Sequence, residues 1–102
     1  MSVVSVNLDN FAEIKNSEKP VLLDFYADWC GPCQMVKPIV EEIAAENPQY
    51  LIGKVNVDEA PALAQAFGVE SIPMLVVMKN GVIVNQTVGA RPKAHILALL
   101  EE

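Results

Sequence analysis

The sequence has few of the residues that would tie it to a metal, a membrane or a nucleic acid. Its 102 residues include two cysteines and one histidine, whereas a structural zinc site uses four ligands. No apolar run approaches the roughly 20 residues that span a bilayer. Only seven residues are Lys or Arg, and they are scattered, which argues against binding to nucleic-acid phosphates. With 52% hydrophobic and 20% charged residues, the composition predicts a single globular domain over residues 1–102.

The first ten residues, MSVVSVNLDN, lack the features of an export signal. They carry no basic n-region and no long apolar h-region. We therefore expect a cytoplasmic location. In that reducing compartment cysteines serve catalysis or metal binding more often than stable disulfides.

The hydrophobic pattern predicts an α/β fold in the order β-α-β-α-β-α-β-β-α. The segment 20–26 is apolar on both faces apart from Asp24, as in a central strand covered by helices, and Asn80-Gly81 suits a hairpin turn. The order predicts a five-stranded mixed sheet flanked by four helices. The predicted strands cover residues 3–7, 20–26 and 51–57, with a hairpin in residues 74–88. The first predicted helix runs to residue 15 after a cap at Asn7 or Asp9, the next two span residues 31–46 and 58–67, and Pro92 opens the last.

Each long helical segment has one apolar face that we expect to lie against the sheet. Gly68 is expected to end the third helix. The apolar faces consist of Leu8, Phe11 and Ile14 in the first helix, Met35, Val36, Ile39, Val40, Ile43 and Ala44 in the second, and Ile96, Leu97, Leu99 and Leu100 in the last.

The two cysteines, Cys30 and Cys33, lie at the predicted start of the second helix, and three roles are open to them. A disulfide would close a loop of four residues, which stabilises by about 2 kcal/mol against roughly 3 kcal/mol for a 15-residue loop. A metal site would need acidic ligands or a second subunit, because His95 is the only histidine.

A redox couple explains more of the context. The free N–H groups of a helix start favour a thiolate at Cys30 and lower its pKa from about 8.5, and Cys33 then resolves the mixed disulfide.

Asp24 interrupts the apolar strand that leads to the cysteines. Burial disfavours the charged carboxylate and should raise its pKa, and a carboxyl with a pKa near neutrality can act as an acid–base. We expect Asp24 to relay a proton for Cys33 through water, and Lys54 on the neighbouring strand to modulate it. A buried Asp–Lys pair kept for structure, or an Asp that faces solvent, is the alternative.

Taken together, these residues resemble the thioredoxin family over nearly the whole chain. A CxxC pair alone is a weak signal, because zinc sites and oxidoreductases share it. The WCGPC motif with an upstream Asp and a downstream Ile-Pro is far more specific. The resemblance rests on Asp24, Trp29-Cys30-Gly31-Pro32-Cys33, Pro38, Lys54, Ile72-Pro73, Lys79-Asn80-Gly81 and Val88-Gly89-Ala90.

The resemblance implies a thioredoxin fold and a general protein-disulfide reductase. In that family pattern Cys30 attacks, Cys33 resolves, Asp24 is the acid–base and Lys54 its neighbour. The peptide bond before Pro73 should be cis. A flat, mainly apolar surface around Cys30, here called the substrate rim, would receive disulfide-containing protein substrates, pairing with the backbone at Ile72 as an added strand does. The rim comprises Trp29, Gly31, Pro32, Ile72, Pro73, Gly89 and Ala90.

The resemblance also implies how electrons reach the site. No cofactor is tightly bound, because the two cysteines are themselves the carriers, and thioredoxin reductase would supply electrons from NADPH or ferredoxin. We expect a monomer without nucleic-acid or membrane partners. A binding module that uses the rim, and a metal or iron–sulfur cluster shared across a dimer, stay open as other classes. Departures from the common family pattern that bear on partner choice are Gln34, Met74 and Val77-Met78.

Overall fold

The computed structural model describes residues 3–102, which form a mixed sheet of five strands with four helices. In chain order the elements are β1 (Val4–Ser5), α1 (Phe11–Lys15), β2 (Val21–Tyr26), α2 (Gly31–Glu46), β3 (Leu51–Asn56), α3 (Pro61–Ala66), β4 (Met74–Lys79), β5 (Val82–Val88) and α4 (Lys93–Glu101). The strands lie in the order β1-β3-β2-β4-β5. β1, β3 and β2 are parallel, while β4 and β5 are antiparallel to their neighbours. The predicted fold class is confirmed.

The central strand β2 explains how a carboxyl comes to be buried. Leu23 and Phe25 lie in the core on the side of α1 and α3, whereas Leu22 lies in the core on the side of α2 and α4. Because side chains alternate along a strand, Asp24 lies on the same face as Leu22. The carboxyl of Asp24 is therefore covered by the helix that begins at the cysteines.

The beginning of the chain differs from the prediction. The first strand is the two-residue β1 instead of residues 3–7, since Asn7 Oδ1 accepts the N–H groups of Asp9 at 2.9 Å and Asn10 at 3.2 Å and so turns the chain. The same turn delays α1, whose N-cap is Asn10 rather than Asn7 or Asp9. Leu8 consequently precedes the helix and is 63% exposed, so its predicted place in the core is wrong.

The second and third helices also carry corrections. α2 has the predicted bounds, but Met35 is 67% exposed and lies outside the buried face of the helix. α3 begins at Pro61 instead of residue 58, because residues 58 and 59 form a turn on the side chain of Asn56. It ends at Ala66, one residue before the predicted end, with Phe67 as the C-cap and Gly68 following at a φ of +66°.

The last third of the chain agrees with the sequence pattern. Asn80 and Gly81 have φ values of +55° and +80° and join β4 to β5, as a hairpin turn with two positive φ angles requires. Ile96 and Leu100 of α4 are buried against the sheet. In the part of the chain that the structure describes, none of the helices has the length and apolar content to cross a membrane.

Candidate active site

The two cysteines form a disulfide at the first turn of α2, with their Cα atoms 5.3 Å apart. Cys30 is the N-cap residue of the helix, and its Sγ accepts the N–H of Cys33 at 3.2 Å. Pro32 is compatible with this turn, because the first N–H groups of a helix have no intrahelical acceptor. The N–H of Cys33 would also face a thiolate on Cys30 after reduction, which favours the charged sulfur.

The segment Ile72-Pro73 lies against the disulfide. Its peptide bond is cis, as the resemblance implied. The carbonyl oxygen of Ile72 is 3.8 Å from Cys30 Sγ, and the Ile72 side chain packs against Ala27 and the cysteine pair. The N–H of Gly89 donates to the carbonyl of Pro73 at 2.8 Å, and its φ of +98° lies where glycine is favoured. The segment Ile72-Pro73 therefore contacts the cysteine pair and is also tied to Gly89 at the end of β5.

Trp29 is an exposed member of the predicted rim. Its side chain is 72% exposed, and the neighbouring Gly31 and Pro32 are also exposed. The indole Nε1–H donates to Asp58 Oδ2 at 2.8 Å. This bond fixes one edge of an apolar ring that otherwise faces solvent.

Asp24 is buried without a hydrogen-bond partner for its Oδ1 atom. Its residue is 5% exposed. Burial raises the pKa of the Asp24 carboxyl from 3.8 to about 7, while the positive charge of Lys54 opposes that rise. The two residues are register partners on β2 and β3. Among residues 3–102, the ion pairs within 4.0 Å join Lys93 to Glu42 and to Glu46, and Asp24 and Lys54 do not form one. The charge of Lys54 therefore acts on Asp24 over a longer distance.

A cleft of about 120 Å³ connects Asp24 to the disulfide. Asp24, Cys33 and Lys54 all line it. A single water needs about 10–15 Å³ of such volume, so the cleft that both residues line has room for several waters. The other lining residues are Val3, Tyr26, Asp28, Gln34, Lys37, Val40 and Glu41.

The departures from the family pattern fall in two places. Met74, Val77 and Met78 are buried in the core, so their side chains do not form part of the surface that meets a partner. Gln34 is exposed at the cleft, and its Nε2 donates to the carbonyl oxygen of Asp28 at 3.3 Å. Only Gln34 is therefore placed to influence partner choice directly.

Sequence reasoning missed several residues of the site. Lys37 and Glu41 line the cleft, and their spacing of four and eight residues from Cys33 on one helix could have revealed them. Asp58, the acceptor for the indole, had no comparable signal, because the turn that carries it depends on the neighbouring strand.

A metal site requires several ligand side chains close together. Among residues 3–102, no three His, Cys, Asp or Glu side chains lie close enough together to hold a metal ion. His95 is exposed on α4 and far along the chain from the cysteine pair. The metal alternative therefore gains no support from the arrangement of side chains within one chain.

Comparison with known proteins agrees with the fold and the motif. The thioredoxin family model matches residues 2–102. Thioredoxin 2 of Chlorobaculum tepidum is 48% identical over 92 residues, which is 89% of this chain and 84% of that protein. A bifunctional thioredoxin reductase/thioredoxin of Mycobacterium leprae is 46% identical over 90% of this chain and 20% of its own length.

A solved structure shows the same architecture. A point mutant of a Halobacterium salinarum thioredoxin superposes with a TM-score of 0.90 and is 39% identical, over 98% of this chain and 88% of that one. Sequence, motif and topology thus agree on one family. The chain belongs to the thioredoxin family of disulfide oxidoreductases.

Proposed function

We propose that this chain is a general protein-disulfide reductase whose reaction runs between a Cys30–Cys33 dithiol and the corresponding disulfide. The observation that carries this proposal is the disulfide at the start of α2, which shares one cleft with a buried carboxyl. Residues 1–102 would act as a single domain.

In the first step the Cys30 thiolate attacks one sulfur of a substrate disulfide. The substrate S–S bond breaks, one substrate thiolate leaves, and a mixed disulfide joins Cys30 to the other substrate sulfur. The N–H of Cys33, which points at Cys30 Sγ, supports the charged form of the attacking sulfur.

In the second step Cys33 loses its proton and attacks Cys30 Sγ. The mixed disulfide breaks, the second substrate sulfur leaves as a thiolate, and the Cys30–Cys33 bond forms, so that two electrons have passed to the substrate. Asp24 is the proposed acceptor of the Cys33 proton, through water in the cleft, because its pKa of about 7 suits exchange near neutral pH. Lys54 modulates Asp24 by lowering that pKa.

The substrate rim is proposed to hold an extended segment of the partner around Cys30. Its apolar members Trp29 and Pro32 are exposed, whereas Ile72 is half-buried and Pro73 is buried. The carbonyl of Ile72 lies beside the reacting sulfur, which would let a partner backbone pair there as an added strand. Because backbone pairing does not read side chains, such a rim suits many protein substrates. The rim comprises Trp29, Gly31, Pro32, Ile72, Pro73, Gly89 and Ala90.

The proposed electron donor is a thioredoxin reductase that draws on NADPH or ferredoxin, with no cofactor bound to this chain. The Mycobacterium leprae relative named as a bifunctional thioredoxin reductase/thioredoxin supports such a pairing. We place the chain in the cytoplasm, because a dithiol that must stay reduced needs a reducing compartment. The proposed working state is a monomer.

Reduction of insulin disulfides tests the function directly. The unchanged chain with dithiothreitol should precipitate insulin faster than dithiothreitol alone. Cys33→Ser should accumulate a mixed disulfide through Cys30, whereas Cys30→Ser is the matched control and should trap nothing. Absence of both turnover and a trapped adduct would overturn the proposal.

Coupling to a reductase is a separate measurement. NADPH oxidation in the presence of insulin and an NADPH-dependent thioredoxin reductase would identify one donor. Reduction of the chain only by a ferredoxin-dependent enzyme would identify the other.

A further inference from the structure

Asn56 is a buried polar residue for which the reaction above has no use. Within residues 3–102 the buried polar side chains are those of Asp24 and Asn56, and Asn56 is 9% exposed. It ends β3, opposite Tyr26 of β2 in the parallel register. A polar group is costly to bury unless it is hydrogen-bonded, so its partners indicate what it does.

The side chain of Asn56 shapes the turn that follows β3. Its Oδ1 accepts the N–H of Asp58 at 2.9 Å and the N–H of Glu59 at 3.3 Å. Its own carbonyl accepts the N–H groups of Glu59 and Ala60 at 3.2 Å and 2.9 Å. The side chain and the backbone carbonyl of Asn56 together hold the turn, and the side chain supplies the bond to the N–H of Asp58.

This turn carries the carboxylate that holds Trp29. Asp58 Oδ2 accepts the indole Nε1–H at 2.8 Å, although Asp58 and Trp29 are both exposed. An exposed hydrogen bond competes with water and contributes little unless its two partners are already in place. The backbone of Asp58, held by Asn56, supplies that placement.

We propose that Asn56 is a positioning residue for substrate binding, which acts through Asp58 to hold the Trp29 ring at the edge of the substrate rim. The inference rests on the proposed function, in which Trp29 belongs to the rim. Asn56 touches neither the substrate nor the reacting sulfurs. Because it restricts the Trp29 ring before binding, it reduces the conformational entropy that this ring loses when a protein substrate docks.

The test compares Asn56→Ala with the unchanged chain in insulin reduction. The KM for insulin should rise about fivefold, the change that loss of one ordinary hydrogen bond produces. The kcat for insulin and the reduction rate of a small aromatic disulfide should stay within about twofold, because the cysteines are untouched. A role in stability alone would leave the KM of the folded variant unchanged.

Trp29 offers a second readout because it is the only tryptophan in the chain. Time-resolved fluorescence anisotropy of Asn56→Ala should show a larger fast component, from a freer indole ring. Asn56→Asp retains an accepting oxygen in either protonation state and should restore both the anisotropy and the KM. Asn85→Ala is the matched control, because the Asn85 side chain also bonds the backbone, its Nδ2 donating to the carbonyl of Leu99 at 3.2 Å. Both readouts of this control should match the unchanged chain.

A folded Asn56→Ala variant with unchanged anisotropy and KM would overturn the proposal. If Asn56→Ala does not fold, Asp58→Ala decides the matter, since it removes the indole acceptor and leaves the turn in place. An unchanged KM and anisotropy decay in Asp58→Ala would overturn the proposal, whereas a higher KM together with a larger fast anisotropy component would support it. Failure of the unchanged chain to reduce insulin would instead overturn the proposed function, while the anisotropy would still report on Asn56.

Discussion

Asp24 and Lys54 occupy the same register position on the adjacent parallel strands β2 and β3, yet no ion pair joins them. The charge of Lys54 lowers the pKa of Asp24, but burial is the larger effect and raises it to about 7. Asp24 is consequently a carboxyl whose charge changes near neutral pH, in the cleft that Cys33 also lines.

Replacing this carboxyl should stabilise the fold. A folded pKa of about 7 against 3.8 for the ordinary group corresponds to a penalty of about 4 kcal/mol once Asp24 is ionised. The amide that replaces the carboxyl is buried without a full set of hydrogen-bond partners, which costs about 1–3 kcal/mol and offsets part of this gain. Asp24→Asn should therefore raise the free energy of unfolding by about 1–3 kcal/mol at about pH 8, measured by urea denaturation.

The same substitution should remove a pH dependence. In the unfolded chain Asp24 loses its proton near pH 3.8, whereas in the folded chain it keeps the proton up to about pH 7. Between these values the unfolded state binds fewer protons, so stability falls as the pH rises and the loss is complete above about pH 7. Urea midpoints of both proteins across this window measure the effect. Parallel curves would contradict the assigned pKa.

Asp24→Asn should also slow the second half of the reaction. If Asp24 accepts the Cys33 proton, release of the substrate from the mixed disulfide should rise with pH through an inflection near 7. The variant should lose this inflection and react at least about tenfold more slowly at neutral pH. Stopped-flow fluorescence of Trp29 would follow both steps. The attack by Cys30 is the internal control, and equal pH profiles for release would leave Asp24 with a structural role only.

Lys54→Gln tests whether the charge of Lys54 sets the pH at which substrate release from the mixed disulfide changes. The positive charge of Lys54 lowers the pKa of Asp24, so its removal should shift the release inflection to higher pH. Lys37→Gln is a matched control, because Lys37 lines the same cleft but is not among the charges that set this pKa. An equal shift in both variants would show a general effect of cleft charge rather than a specific one of Lys54.

Gly53 of β3 offers a prediction about packing alone. A Cβ atom there would lie 2.7 Å from Val6 Cγ2 and 3.2 Å from Leu23 Cδ2, both on core side chains. Gly53→Ala should therefore lower the free energy of unfolding by about 1–3 kcal/mol. Gly31→Ala is the control, because nothing lies within 4 Å of its Cβ position. Equal thermal midpoints for the two variants would refute the argument.

Much of the fold follows from local patterns. The turn at Asn80-Gly81 needs only two residues that accept positive φ, and the bounds of α2 follow from the Gly-Pro start and the Asn47-Pro48 end. Leu8 and Met35 show where such patterns fail. Each has apolar spacing, but an Asn7 turn excludes Leu8 from its helix, and Met35 lies on the side of α2 that the sheet does not cover.

The sequence by itself determined the redox pair, because a CxxC at a helix start sets both the proximity of the sulfurs and their unequal positions. It also determined that an acid would interrupt the central strand. Only the tertiary structure decided that Asp24 and Cys33 share a cleft, that Met74 and Met78 are core residues, and that Asp58 holds Trp29. Each of these features depends on how separate segments pack against one another. The spacing of residues within one segment does not specify that packing.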